Sequence, residues 1–329
     1  MSDYNKAPLS NTELYDKLVS RNLLGAEEDK KAIYNAIIKI GYYRLSAYCL
    51  PFLQRTGTVP PAKVFKQGTT IHKILALLEF DSSVRAIALK ALERIEIALG
   101  ASICNHLCRA HGINWYVNAD AFENEKARDE VYAKAIKHIG FDHENNCGLP
   151  SNPNLYLNHY YTKYKKPKLP PAWMLRECAS FGFWSIAFKN LNSAEKTKIA
   201  NAWSYPNKSK IQPAVFESWL HSLTIFRNRC AHYNRITNLS IPYGPKTPDN
   251  PVAAGRFTSS ANTLRAFLLV TDIFMLNVDP NFDWKALLRD EFERLSDRVD
   301  VAKAADFAPG WKNDIFWQPW RPPASQSSS

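Results

Sequence analysis

Glycine is scarce in this 329-residue chain, with 12 occurrences, and the strict apolar–polar alternation of half-buried strands is nearly absent. Barrels and sandwiches are therefore excluded, because they need many short alternating strands joined by frequent turns. No apolar run reaches bilayer length: the longest, Ala266 to Leu276, is too short and carries Asp272. The opening residues, MSDYNKAPLS, lack the basic, apolar and small-residue regions of a secretory leader. Six cysteines without a tight spacing framework read as reduced thiols. These absences lead to the expectation of a cytoplasmic protein that makes no use of a membrane. Acidic residues are the minority charge, 31 against 42 Lys plus Arg, for a formal net charge of +11. Such an excess favours a polyanionic partner and says nothing about fold. Apolar residues at 46% and charged residues at 22% exclude disorder for most of the chain.

What is present is apolar spacing of three and four almost throughout, so the chain reads as all-α. Ser10 or Asn11 caps a first helix, and a second runs from about residue 26 to Ile40 and stops at Gly41. The longest helical stretch is Thr70 to Ala110, with a possible break near Asp81–Ser83, since Asp and Ser favour caps over interiors. A mixed-charge helix covers Asp120 to Ile139. Residues 140–169 lack a clear period and read as a long loop, a length that is often functional. Helices resume at 172–180, 183–191, 193–203, 212–234, 258–276 and 283–297. No internal repeat or linker is visible, so residues 1–315 form one helical domain, and 316–329, ending RPPASQSSS, form a disordered tail.

The segment FESWLHSLTIFRNRCAHYNR, Phe216 to Arg235, carries the chemistry. On a helix at about 100° per residue, Val215, Trp219, Leu223, Phe226 and Cys230 share one face. Glu217, His221, Thr224, Asn228 and His232 share the opposite one, with Arg227 at its edge. An ordinary solvated face is built from Lys and Glu. This stripe instead offers imidazoles that titrate near neutral pH and a guanidinium fork suited to phosphate. Asn228 and His232 are four apart, so the amide can orient the ring.

RNRCAH, Arg227 to His232, matches the R-x4-6-H motif of HEPN-superfamily ribonucleases and is the chain's one instance of that spacing. Four stretches, the last of which contains this motif, carry a more specific resemblance: GYYRLSAYCLPF (41–52), LLEFDSSVRAIALKALERIEIALGA (77–101), PPAWMLRECASFGFWSIAFKNL (170–191) and SWLHSLTIFRNRCAHYNRI (218–236). Together, over about residues 14–276, they resemble the Abi-like family, bacterial abortive-infection proteins of the AbiD and AbiF type. The resemblance implies a HEPN-like helical bundle, metal-independent RNA cleavage in phage defence or as a toxin, and no cofactor. It implies a homodimer, because such sites form where two motif helices meet, and a structured noncoding RNA as a further partner. It gives Arg227 the scissile phosphate, His232 a general acid or base role, and Asn228 the orientation of either. The expected ends are a 2′,3′-cyclic phosphate and a 5′-hydroxyl. HEPN toxins silenced by tyrosine modification carry Tyr two residues after the motif His; here that position is Asn234. The alternative is a non-catalytic or resting RNA-binding regulator of the same fold. A plain helical scaffold fits the His-rich stripe poorly.

Several residues support the site. Glu96 sits on an apolar face with Leu89, Leu92, Leu99 and Ile103, and so does Arg85. Such a carboxylate wants a cation: either Arg85, in a structural pair, or the motif helix, where it would position Arg227 or His232. Glu177 is a second candidate, and His221 joins them from the stripe. The run YLNHYYTKYKKPK interleaves Tyr160, Tyr161 and Tyr164 with Lys163, Lys165, Lys166 and Lys168, a pattern suited to stacking bases and neutralising phosphate. Arg229 and Arg235 add charge near the motif. Cys104, Cys108 and His111 have a zinc-like spacing on one helix face. No second ligand pair lies nearby and cysteine is a common core residue, so no metal site is expected.

Overall fold

A 41-residue helix organises the chain. The structure, a computed structural model, describes residues 7–55, 63–140, 154–164 and 166–320. In chain order the elements are α1 (Asn11–Val19), α2 (Lys30–Ile40), α3 (Tyr42–Cys49), the antiparallel pair β1 (Leu53–Arg55) and β2 (Lys63–Phe65), α4 (Ile71–His111), α5 (Glu125–Ile139) and α6 (Leu155–Lys163). Then follow α7 (Ala172–Arg176), α8 (Phe181–Asn190), α9 (Ser193–Asn201), α10 (Pro213–Ala231), α11 (Pro251–Ala254), α12 (Leu264–Val278), α13 (Trp284–Leu295) and α14 (Val301–Ala304). The all-α reading holds. The chain ends of α1 and α2 follow their expected signals: Ser10 and Glu13 form a reciprocal capping box, and Gly41 takes φ +84°.

Helix α4 starts where the Thr70 side chain accepts from the Lys73 amide and stops at Gly112, φ +86°. At 1.5 Å per residue it spans about 60 Å. Ile74, Leu77, Phe80, Val84, Ala88, Leu92, Ile95, Leu99, Ile103 and Leu107 are all fully buried along it. Helices α7, α8, α10, α12 and α13 pack around this stripe. The break considered at Asp81–Ser83 is absent. Asp81 is fully buried because it has partners, not because it caps an end. Its Oδ2 accepts from Arg85 Nε at 2.7 Å and Tyr48 Oη at 2.9 Å. Its Oδ1 accepts from the Ile236 and Thr237 amides and the Thr237 hydroxyl at 2.8–3.0 Å.

Two expectations need correction. The stretch 140–169 contains α6, which the Asn154 side chain caps by accepting from the Tyr156 and Leu157 amides. Its period is faint in the sequence because only Leu157 and Tyr160 are buried. The expected tail is also packed at its start: Phe316 is fully buried, and Trp320 Nε1 donates to Asp272 Oδ2 at 3.0 Å, while 321–329 lie outside the described residues. An aromatic cluster of Phe292, Phe307, Trp311 and Trp317 holds that end. Among the described residues, no helix is long and apolar enough to cross a membrane.

Candidate active site

Helix α10 begins with Pro213 in its first turn, where the missing amide costs nothing. Its apolar face is fully engaged: Val215, Trp219, Leu223 and Phe226 show no exposure, and Cys230 shows 3%. Burial pushes the Cys230 thiol well above its ordinary range, so it is packing and not a nucleophile. The polar stripe is partly roofed. Lys196 of α9 pairs with Glu217 at 2.9 Å, and α8 approaches Thr224 so closely at Gly182 that an added Cβ would touch its methyl group at 3.5 Å. His221 packs edge-on against the Tyr243 ring, with centroids 5.0 Å apart. The stripe is exposed at His221 and again at its C-terminal end, at Asn228 and His232.

There Arg227 is held from behind. Its Nε donates to Glu96 Oε2 at 2.9 Å, and the other oxygen, Oε1, accepts from the Phe181 amide at 2.7 Å. Phe181 is the first residue of α8, so the carboxylate also meets the positive end of that helix. Glu96 thus joins α4, α8 and α10. Its side chain is 17% exposed and that of Arg227 is 30% exposed. Anchoring through Nε leaves the guanidinium tip open to solvent, with Nη1 donating to Asn228 Oδ1 at 3.3 Å. A guanidinium held in this way keeps N–H groups that an anion could reach.

His232 caps α10, and its own amide donates to the Asn228 carbonyl at 2.9 Å. The chain then turns sharply. Tyr233 takes φ +59°, and the Asn234 amide returns to the Arg229 carbonyl at 2.9 Å. Ile236 and Thr237 dock onto Asp81. The imidazole therefore stands on a backbone fixed from both sides.

Of the other expected residues, Arg85 serves Asp81 and not Glu96. Positions 85 and 96 lie about 16 Å apart along one straight helix, too far to pair. Glu177 ends α7 and pairs with its neighbour Arg176 at 2.6 Å, whereas Arg227 pairs with Glu96. Arg229 donates to the Arg235 carbonyl at 3.2 Å, and Arg235 bonds to the Ala47 carbonyl and lies 6.0 Å over the Tyr48 ring. Burial lowers the Arg235 pKa from its ordinary value, so Arg235 ties α3 to the motif turn and is not a free phosphate ligand. Tyr160 is 4% exposed and donates to the Pro167 carbonyl at 2.6 Å, so it cannot stack on a base. Tyr161 is half-buried, whereas Lys163, Tyr164, Lys166 and Lys168 are exposed. Lys165 lies outside the described residues. Cys104 and Cys108 have sulfurs 3.8 Å apart, but His111 turns to Glu195 at 3.5 Å. No metal-holding group of three such side chains occurs among the described residues. Asp81 and the Phe181 amide were missed. The i, i+4 placement of Asp81 and Arg85 on an apolar face was the available signal for the former; a backbone amide gives none.

The profile of the Abi-like protein family matches residues 35–238, which include Asp81, Glu96, Phe181 and the whole motif helix. The chain belongs to the Abi-like family. That membership places it among proteins of abortive infection, the class of bacterial defence against phage. No curated protein and no solved structure matches the chain. Helices α11 to α14 of this Abi-like protein lie beyond the matched segment.

Proposed function

We propose that this Abi-like protein is a HEPN-type endoribonuclease acting in phage defence. The observation that supports it most is the anchored Arg227, whose Nε is fixed by Glu96 while its tip opens beside exposed Asn228 and His232. Arg227 neutralises the scissile phosphate and the charge that grows on it in the transition state. The ribose 2′-oxygen attacks phosphorus and loses its proton to a base. The bond to the 5′-oxygen breaks, and that oxygen takes a proton from an acid. His232 fills one of these roles. Its counterpart in a second copy of the chain fills the other, so the active form is a homodimer about the ends of two α10 helices. The products are a 2′,3′-cyclic phosphate and a 5′-hydroxyl. A structured noncoding RNA binds and regulates the dimer.

The test is a cleavage assay in EDTA with wild type and His232→Ala on total cellular RNA, with the new ends mapped. Cyclic-phosphate ends from wild type alone are expected. Cleavage by both proteins would place the chemistry elsewhere. Silence from both would favour the resting RNA-binding reading, and sequencing of co-purified nucleic acid would then identify what holds it.

A further inference from the structure

The outer face of α6 and α7 combines exposed rings with unopposed positive charge. From Asn154 to Arg176 the chain holds four lysines and one arginine and no Asp or Glu. The first acid beyond, Glu177, is neutralised by Arg176 at 2.6 Å. Tyr160 is turned inward, but Tyr156 is 56% exposed, Tyr164 44% and Trp173 44%. A single exposed ring needs no explanation. Three of them among cations, in a stretch with no anion, fit a polyanion that carries flat apolar groups.

The face is rigidly held. Asn154 Nδ2 donates to the Glu177 carbonyl at 3.0 Å, which sets the start of α6 against the end of α7. At the other end Tyr160 Oη donates to the Pro167 and Leu169 carbonyls at 2.6 and 3.2 Å. The Ala172 amide donates to the Ile113 carbonyl at 2.8 Å and fixes the base of α7 beside Trp173. Lys163 Nζ stands 5.5 Å over the Tyr164 ring, so charge and ring already adjoin. Residues 177–180 then lead from α7 to the Phe181 amide that holds Glu96 behind Arg227.

We propose that this face binds unpaired RNA and delivers it to Arg227. Bases stack on Tyr156 and Trp173, and phosphates meet Lys163, Lys166 and Lys168. The substrate class is therefore single-stranded RNA, because a paired base cannot present its flat side to a ring. A membrane surface fits less well: α6 has nine residues and α7 five, and neither offers a continuous apolar face. The inference takes its substrate from the RNA-cleaving reading, but its test does not depend on cleavage.

The experiment is fluorescence anisotropy in the His232→Ala background, which removes cutting. The probes are a labelled 20-nucleotide RNA without self-pairing, the same sequence as a duplex, and vesicles containing anionic lipid. The single strand should bind tighter than the duplex and tighter than vesicles. Adding Tyr156→Ala and Trp173→Ala should weaken single-strand binding about tenfold or more, with the salt dependence unchanged. Adding Lys163→Gln and Lys168→Gln should instead reduce the log–log salt slope by about 1.4, or about 0.7 per lost phosphate contact. All four side chains are on the surface, so unchanged circular dichroism confirms folding. Equal binding of single strand and duplex, binding to vesicles alone, no binding by the parent, or unchanged affinity in both variants would overturn the proposal. If wild type cuts RNA but the aromatic pair proves irrelevant, this face is wrong and the Arg227 site stands. If the pair controls binding while wild type cuts nothing, the face stands and the catalytic reading falls.

Discussion

Glu96 illustrates how one side chain can be structural and functional at once. Its two oxygens accept from different elements, the Phe181 amide and Arg227 Nε. A carboxylate provides two strong acceptors and a full negative charge, whereas an amide provides one acceptor and a donor. Glu96→Gln therefore keeps the shape and loosens either the start of α8 or the hold on Arg227. If Arg227 stabilises the transition state, the cleavage rate should fall about tenfold to a hundredfold, since each 1.4 kcal/mol of lost stabilisation is a factor of ten. RNA affinity should change far less, because the guanidinium keeps its charge. Rates and affinities measured on the same preparation check this. A parallel loss of both would mean that Glu96 only supports the fold. Asp81 is the contrasting case: its five hydrogen bonds are all internal, and it holds the segment after His232 through the amides of Ile236 and Thr237.

At the scale of elements, α4 brings the site together by allowing α8 to approach closely. A Cβ at Gly100 would lie 2.9 Å from Trp184 Nε1, and Trp184 is 1% exposed. In an exposed helix interior, Gly→Ala would stabilise by about 0.5–1 kcal/mol. Here the overpacking cost of about 1–3 kcal/mol outweighs that gain. Gly100→Ala should thus lower stability in urea unfolding, and it should slow cleavage as well, because α8 carries the Phe181 amide. A more stable Gly100→Ala protein would show that the contact is looser than its geometry implies. The element that eluded the sequence pattern, α6, belongs to the same level. Six of its nine residues are exposed, so no apolar stripe marked it, and its cap at Asn154 was the one local signal.

For the molecule as a whole, charge acts in two ways. The net charge of +11 makes any RNA affinity salt-dependent. Individual ion pairs tie the C-terminal helices to the long one. Glu79 of α4 meets Arg294 and Arg298 at 2.6 and 2.9 Å. The Arg294 hydrogen bond, aided by Arg298 against a smaller burial effect, holds the Glu79 carboxyl below its ordinary 4.5. Because the folded pKa is the lower one, the pair's contribution is complete above the ordinary value and is lost as pH falls through the depressed one. The thermal midpoint of wild type should therefore fall more steeply on acidification than that of Glu79→Gln. Parallel curves would show that the exposed pair contributes nothing, as many surface pairs do.

Helix content and the apolar face of α10 were legible because they depend on periodicity and spacing, which are local properties of a chain. The apolar face at Val215, Trp219, Leu223, Phe226 and Cys230 is buried as its spacing required. Partnerships were not legible in the same way. Arg85 and Glu96 share a face of α4, and spacing could not say that one would turn to Asp81 and the other to Arg227, 131 positions along the chain. Nor could it show that Tyr160 would be consumed by the Pro167 carbonyl while Trp173 stayed in solvent. Local pattern sets which residues share a surface. Which surfaces meet, and hence which charges are paired and which remain free for a ligand, follows from packing the helices around α4, where a buried charge such as Asp81 is satisfied by groups distant in sequence.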